Sequence, residues 1–147
     1  MLSNKARYGL KALLHLAERL DRPSRIADIA EENRIPRKFL DVILLDLKNA
    51  GLLHSKKGTG GGYQLARAPE QITIGGVIRI LDGPLAPVAC ASRTAYRPCP
   101  DCGDVEGCRV RAVMVDVRDA MAAILDHTSL AEMGRKTPGC PLSAEPP

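Results

Sequence analysis

A chain of 147 residues, 45% hydrophobic and 26% charged, is long enough for one folded domain with an extra element, and too apolar to be disordered. Aromatics are scarce, with one Phe, three Tyr and no Trp, so the core must be built from Leu, Ile, Val and Ala, a composition that leans helical. The net charge of +4 is uneven: residues 1–82 hold 14 Lys/Arg against 9 Asp/Glu, the remainder 7 against 8, and the excess in the first part suits a nucleic-acid surface.

The N-terminal stretch MLSNKARYGLKALLHLAERL carries charges and no small-residue cleavage site, which excludes a secretory signal. Its apolar residues Ala6, Leu10, Leu13, Leu14, Ala17 and Leu20 recur in three- and four-residue steps, predicting an amphipathic helix over Leu2 to Leu20. Ser24 is expected to cap a second, short helix with Ile26, Ile29 and Ala30 inward. Asn33-Arg34-Ile35 then turns the chain, and Pro36 opens a third helix with Phe39, Leu40, Ile43, Leu44 and Leu47 inward, ended by Gly51. Two short helices joined by a tight turn form a helix-turn-helix unit.

LLHSKKGTGGGYQLAR follows, with strands expected at Leu52 to Ser55 and Gly62 to Ala66 and glycines supplying positive φ between them. A basic, glycine-rich hairpin directly after a helix-turn-helix reads as a wing. Ile72 to Ile74 is expected as a strand edge and Gly76 to Leu81 as a short helix. Val110, Val113, Met114, Val117, Met121, Ile124 and Leu125 mark a long helix ending near Asp126, with near-heptad spacing that suits a dimer seam. Ser129 to Glu132 is a capping-box pattern. The fold class is mainly α, a winged helix-turn-helix with a small β wing plus a long C-terminal dimerisation helix. The expected divisions are a DNA-binding domain over 1–82, a cysteine-rich sensor loop over 83–104, the dimerisation helix and a terminal turn over 105–136, and a disordered tail over 137–147.

Four of the five cysteines, Cys90, Cys99, Cys102 and Cys108, fall in the stretch CASRTAYRPCPDCGDVEGC, spaced C-x8-C-x2-C-x5-C. No run approaches the roughly 18 to 20 apolar residues of a membrane span. The chain therefore reads as cytoplasmic, where clustered cysteines point to metal or redox chemistry before a disulfide framework. Thiolates suit an iron–sulfur cluster or zinc; Cys99-Pro-Asp-Cys102 is also half of a zinc knuckle. Cys140 reads as a free thiol. His15, His54 and His127 have no partner at ligand spacing and read as surface or boundary residues. No Ser–His–Asp or paired-carboxylate arrangement is present, so an enzyme is not expected; a thiol oxidoreductase would need a strand–helix–strand context around Cys99 and Cys102.

NKARYGLKALLHLA, IADIAEENRIPRKFLDVILLDLKNAGLL, the wing KKGTGGGYQLAR and ITIGGVIRILDGP together resemble the winged-helix transcriptional regulators of the IscR/NsrR/RirA type, the Rrf2 family, over about Met1 to Met133. The resemblance implies a homodimer, commonly a repressor, bound to near-palindromic double-stranded operator DNA and sensing iron, iron–sulfur, nitric oxide or redox status. Arg37, Lys38 and Asp41 would face the bases from the recognition helix. Lys56, Lys57, Thr59 and Gly60 would follow the backbone from the wing, and Ser3, Lys5, Arg7 and Tyr8 match a segment lying near the operator backbone. The cluster expected is [2Fe–2S] ahead of [4Fe–4S], with zinc and then a thiol–disulfide switch as alternatives. Cys102 and Cys108 match the last ligand interval, and the first ligand is open between Cys90 and Cys99. The histidine that some relatives add is Arg111 here, which stays protonated. A fourth cysteine or Asp101, Asp104 or Glu106 would then complete the set. Packed between the dimer helix and the body, such a loop would alter the spacing of the recognition helices or the exposure of Asp41.

Overall fold

A computed structural model describes residues 2–136; the expected tail and Cys140 lie outside the described residues. Helices α1 (Asn4–Ala17), α2 (Ile26–Asn33) and α3 (Arg37–Asn49) are followed by strands β1 (Leu53–Lys56) and β2 (Gly62–Leu65), then α4 (Ile74–Asp82), α5 (Arg109–Leu125) and α6 (Leu130–Arg135). Short 3-10 turns at Pro69–Gln71 and Ala89–Ala91 complete the order.

Leu13 and Leu16 of α1, Ile29 of α2, Leu40, Ile43, Leu44 and Leu47 of α3, and Val77 of α4 are almost wholly buried in one core. Burying a side chain of that size contributes about 1.5–3 kcal/mol, so this cluster dominates the stability of the body. Gly9 lets α1 approach α4, because a Cβ there would collide with Leu81. Helix α6 returns to the same core: Leu130 is fully buried, and the backbone of Ile72–Ile74 pairs with it through Leu130 N–H to Ile72 O (2.7 Å) and Ile74 N–H to Thr128 O (2.9 Å). Ser129 and Glu132 close the expected capping box.

The helix-turn-helix turns on Arg34, whose left-handed backbone (φ 54°) ends α2. The wing is a two-stranded antiparallel sheet with Leu53 opposite Leu65 and Lys56 opposite Gly62. Gly62 has φ 148° and its α-carbon lies against the carbonyl of Ser24, leaving no room for a side chain.

Four local expectations are corrected. Ser24 does not cap α2; the residue at that position is Arg25, with no side-chain cap. The backbone of Ser24 instead bonds to Tyr63 in both directions, at 2.9 and 2.8 Å, fastening the wing to the α1–α2 linker. Ile72–Ile74 is not an edge of the wing sheet but pairs singly with the segment before α6. Phe39, expected inward, is 60% exposed, because Leu40, Ile43, Leu44 and Leu47 already fill the buried face of α3. His15, expected near the surface, is buried: its Nδ1 accepts from the Asn33 amide at 3.1 Å, and Nε2 is enclosed without a partner. Burial, with Arg19 nearby, holds its pKa below the ordinary 6.5.

A candidate nucleic-acid interface and a cysteine pocket

Helix α3 is held by four buried residues on one side, so its other side faces solvent. Arg37, Lys38 and Asp41 are all exposed there, in the first turns after Pro36. Lys56, at the end of β1, and Lys57, Thr59 and Gly60, in the hairpin loop, are exposed as well. None of these cations takes part in the ion pairs formed among the described residues. Helix and wing are adjacent in the chain and packed together through Leu47, Leu52 and Leu53, which are buried. Four positive charges outside those ion pairs thus sit on one helix and the hairpin that follows it.

The N-terminal candidates are placed differently. Ser3 caps α1, accepting from the Ala6 N–H at 3.0 Å, and its own backbone N–H donates to Asp82 at 2.9 Å. Lys5 pairs with Asp46 of α3 at 2.6 Å, and Arg7 donates to Asn4 at 3.2 Å. Tyr8 is half-buried with its ring 6.4 Å from that of Phe39. Ser3 and Lys5 therefore tie α1 to α4 and α3, whereas Arg7 remains exposed.

Beyond Gly83 the chain loops out and returns as α5. Cys90, Cys99, Cys102 and Cys108 all line one cavity of about 470 Å³, together with Asp101 and Arg111. Among the described residues none of the four is in a disulfide. Cys108 caps α5, its Sγ accepting from the Arg111 N–H at 3.4 Å, and the Cys102 N–H donates to the Cys99 carbonyl at 3.2 Å. Partial burial pushes the Cys102 thiol up, and the neighbouring thiols of Cys108 and Cys99 add to the shift. Asp104 and Glu106 do not line the cavity; the Asp104 carboxylate accepts from the Glu106 N–H at 3.1 Å. The donor chemistry suits a thiophilic metal or cluster. The side chains as placed do not converge: among the described residues no three Cys, His, Asp or Glu groups stand together as a metal site.

Arg111, at the position where a ligating histidine is expected, does something else. Its Nε donates to the Cys90 carbonyl at 2.9 Å, and Arg118, seven residues on and nearly buried, donates to the Ala91 carbonyl. Two guanidinium groups on one row of α5 thus grip the turn that carries Cys90. Arg118 and the Arg79–Asp126 pair, in which the two terminal guanidinium nitrogens meet both carboxylate oxygens and join α4 to the end of α5, do not stand out in the local pattern. The seven-residue spacing of Arg111 and Arg118 is the available signal for the first; nothing local marks the second, which spans 47 positions.

A helix-turn-helix followed directly by a two-stranded β wing is the arrangement of a winged-helix domain. The family model for Rrf2, described as an iron-dependent transcriptional regulator, matches residues 2–136, and the chain belongs to that family. A putative rrf2-like regulator of Rhodobacter capsulatus is 42% identical over 137 residues, covering 90% of this chain and 91% of that one. The structure of CymR, the global cysteine regulator of Bacillus subtilis, superposes with a TM-score of 0.76 at 33% identity, covering 93% and 98% of the two chains. That of IscR from T. potens gives 0.72 at 27% identity, covering 95% and 93%. These relatives are named as regulators, not enzymes, and no helix among the described residues is long and apolar enough to cross a membrane.

Proposed function

We propose that this regulator works as a homodimer joined along α5, reads a near-palindromic operator in duplex DNA with α3 and the wing, and is controlled through a cysteine-ligated iron–sulfur cluster. The DNA reading is supported by Arg37, Lys38, Lys56 and Lys57, all exposed and in none of the ion pairs among the described residues. Duplex phosphates attract such charges at long range, and base edges are within reach of the first turns of a recognition helix. Lys5, Arg7 and Thr59 would add backbone contacts, with Lys5 leaving Asp46 to do so.

The observation that carries the sensor reading is the gathering of four thiols around one cavity at the N-terminus of α5. The proposed ligands come from the four cysteines that line the cavity, Cys102 and Cys108 with Cys99 or Cys90 beside them. When bound, a cluster of this kind supplies a redox- and nitric-oxide-sensitive group. Drawing the thiols together requires the loop to move, so occupancy and loop conformation are coupled. Arg111 and Arg118 pass that movement to α5 through the carbonyls of Cys90 and Ala91.

Anaerobic purification with iron, sulfide and zinc analysis and a visible spectrum tests this. A brown protein that loses its chromophore in Cys102→Ala and Cys108→Ala is expected; a colourless protein without iron overturns the cluster. A thiol–disulfide switch is the second reading, favoured by the turn that places Cys99 and Cys102 side by side and by the resemblance to a regulator named for cysteine. Zinc at the same thiols is the third, and the metal analysis separates it from the other two.

A further inference from the structure

The recognition surface of α3 is not purely polar. Phe39 is 60% exposed, Val42 53% and Leu45 51%, interleaved with Lys38 and Asp41 on the side of the helix away from the core. Most exposed apolar residues need no explanation. Three within seven positions of one helix face, flanked by unpaired Arg37 and Lys38, form a composite surface that is cationic at one end and apolar along its middle. Phe39 is also held in place: the half-buried Tyr8 ring packs beside it, 6.4 Å between centroids and tilted by 50°. Tyr8 is in turn carried by α1, whose neighbouring Lys5 is fastened to Asp46 of α3 at 2.6 Å. The aromatic ring is thus fixed at the flank of the helix.

Whatever covers this surface must be anionic overall and must present small apolar groups at the spacing of a helix face. The major groove of duplex DNA does both, because phosphates line its rim and the 5-methyl of each thymine projects from its floor. Building on the reading of α3 as the recognition helix, we infer that Phe39 and Val42 are specificity residues that pack on thymine methyl groups, so that the operator half-site carries thymine at fixed positions beside the bases met by Arg37, Lys38 and Asp41. Arg37 and Lys38 suit guanine acceptors and Asp41 a cytosine amine. The apolar pair then selects A·T pairs that hydrogen-bonding side chains on this helix leave unread. Both side chains are exposed, so removing them does not open the core.

The test uses the full chain. Duplexes bound by the wild-type protein are selected from a random library, and each thymine of the enriched half-site is replaced in turn by uracil, which lacks only the methyl. Loss of affinity of about fourfold per contacted methyl is expected, the ratio that burial of one methyl-sized group corresponds to. Phe39→Ala with Val42→Ala should bind the thymine site more weakly and no longer distinguish uracil from thymine, with an unchanged unfolding midpoint. Tight binding of the wild type to thymine and uracil sites alike overturns this inference and leaves the DNA reading standing. A library from which no sequence is enriched overturns both. A change in sedimentation of the double variant assigns the patch to protein contacts and also overturns it.

Discussion

Helices α3 and α5 look alike in the sequence, 13 and 17 residues with regularly spaced aliphatic positions. They are built on opposite terms. Helix α3 buries Leu40, Ile43, Leu44 and Leu47 within the body, and its other side faces solvent. Helix α5 has no buried residue at all. Met121 and Leu125 lean on the core and Arg111 and Arg118 hold the cysteine turn, while Val110, Val113, Val117 and Ile124, on the apolar face that Met121 shares, stay exposed. A single helix seldom leaves such a stripe open. The body is complete as one chain; under the proposed function, the open stripe of α5 is where a second copy would sit.

The largest effect separates the two helices directly. Leu44→Ala removes a fully buried side chain and is expected to cost about 2–5 kcal/mol of unfolding free energy. Val110→Ala, in a residue 65% exposed, should stay within about 0.5 kcal/mol. Urea unfolding of dilute protein measures both. Equal costs would mean that α5 belongs to the same cooperative core, and the contrast would be lost.

A smaller effect concerns the joint between the regions. Arg79 holds the Asp126 carboxyl below its ordinary 3.8. Both partners are about one-third exposed, 37% and 35%, so the pair is worth about 0.2–1 kcal/mol. A carboxylate with a depressed pKa contributes above its unfolded value and loses that contribution as pH falls through the folded one. The stability gap between wild type and Asp126→Asn should therefore be open at pH 7 and close as the pH drops below 3.8. A gap that persists in acid would assign the effect to packing against Gly75, where Asp126 sits close to the backbone.

What could be read from the sequence divides along the same line. The positions of α1, α3, the wing, α5 and the capping box follow from local periodicity, caps and glycines, which are short-range signals. Hydrophobicity alone points Phe39 inward, but at 100° per residue it lies beyond the row that Leu40, Ile43, Leu44 and Leu47 complete. Ser24 was misplaced because its backbone bonds go to Tyr63, a partner no local pattern announces. The cysteines were legible as a cluster and as neighbours of α5. Their grip by Arg111 and Arg118 depends on how the loop folds back, and spacing alone does not encode it.

The prediction with the least effect on folding tests the comparison most sharply. Val113 is 56% exposed, on the same stripe as Val110, Val117 and Ile124. Val113→Glu adds a charge that water solvates freely in a single chain, so the unfolding midpoint of the dilute monomer should move little. In a seam between two copies the same carboxylate would be buried against aliphatic side chains and against its own symmetry mate, and a desolvated, unpaired charge is costly. Sedimentation should thus show a dimer for the wild type and a monomer for Val113→Glu at the same concentration. Operator binding should weaken too, because two half-sites would no longer be engaged together. A variant that stays dimeric would place the seam elsewhere and leave the open row of α5 to another partner; a variant that fails to fold would show that α5 packs within its own chain after all. Only a folded monomer with weakened operator binding fits a body that is complete and an arm that is not.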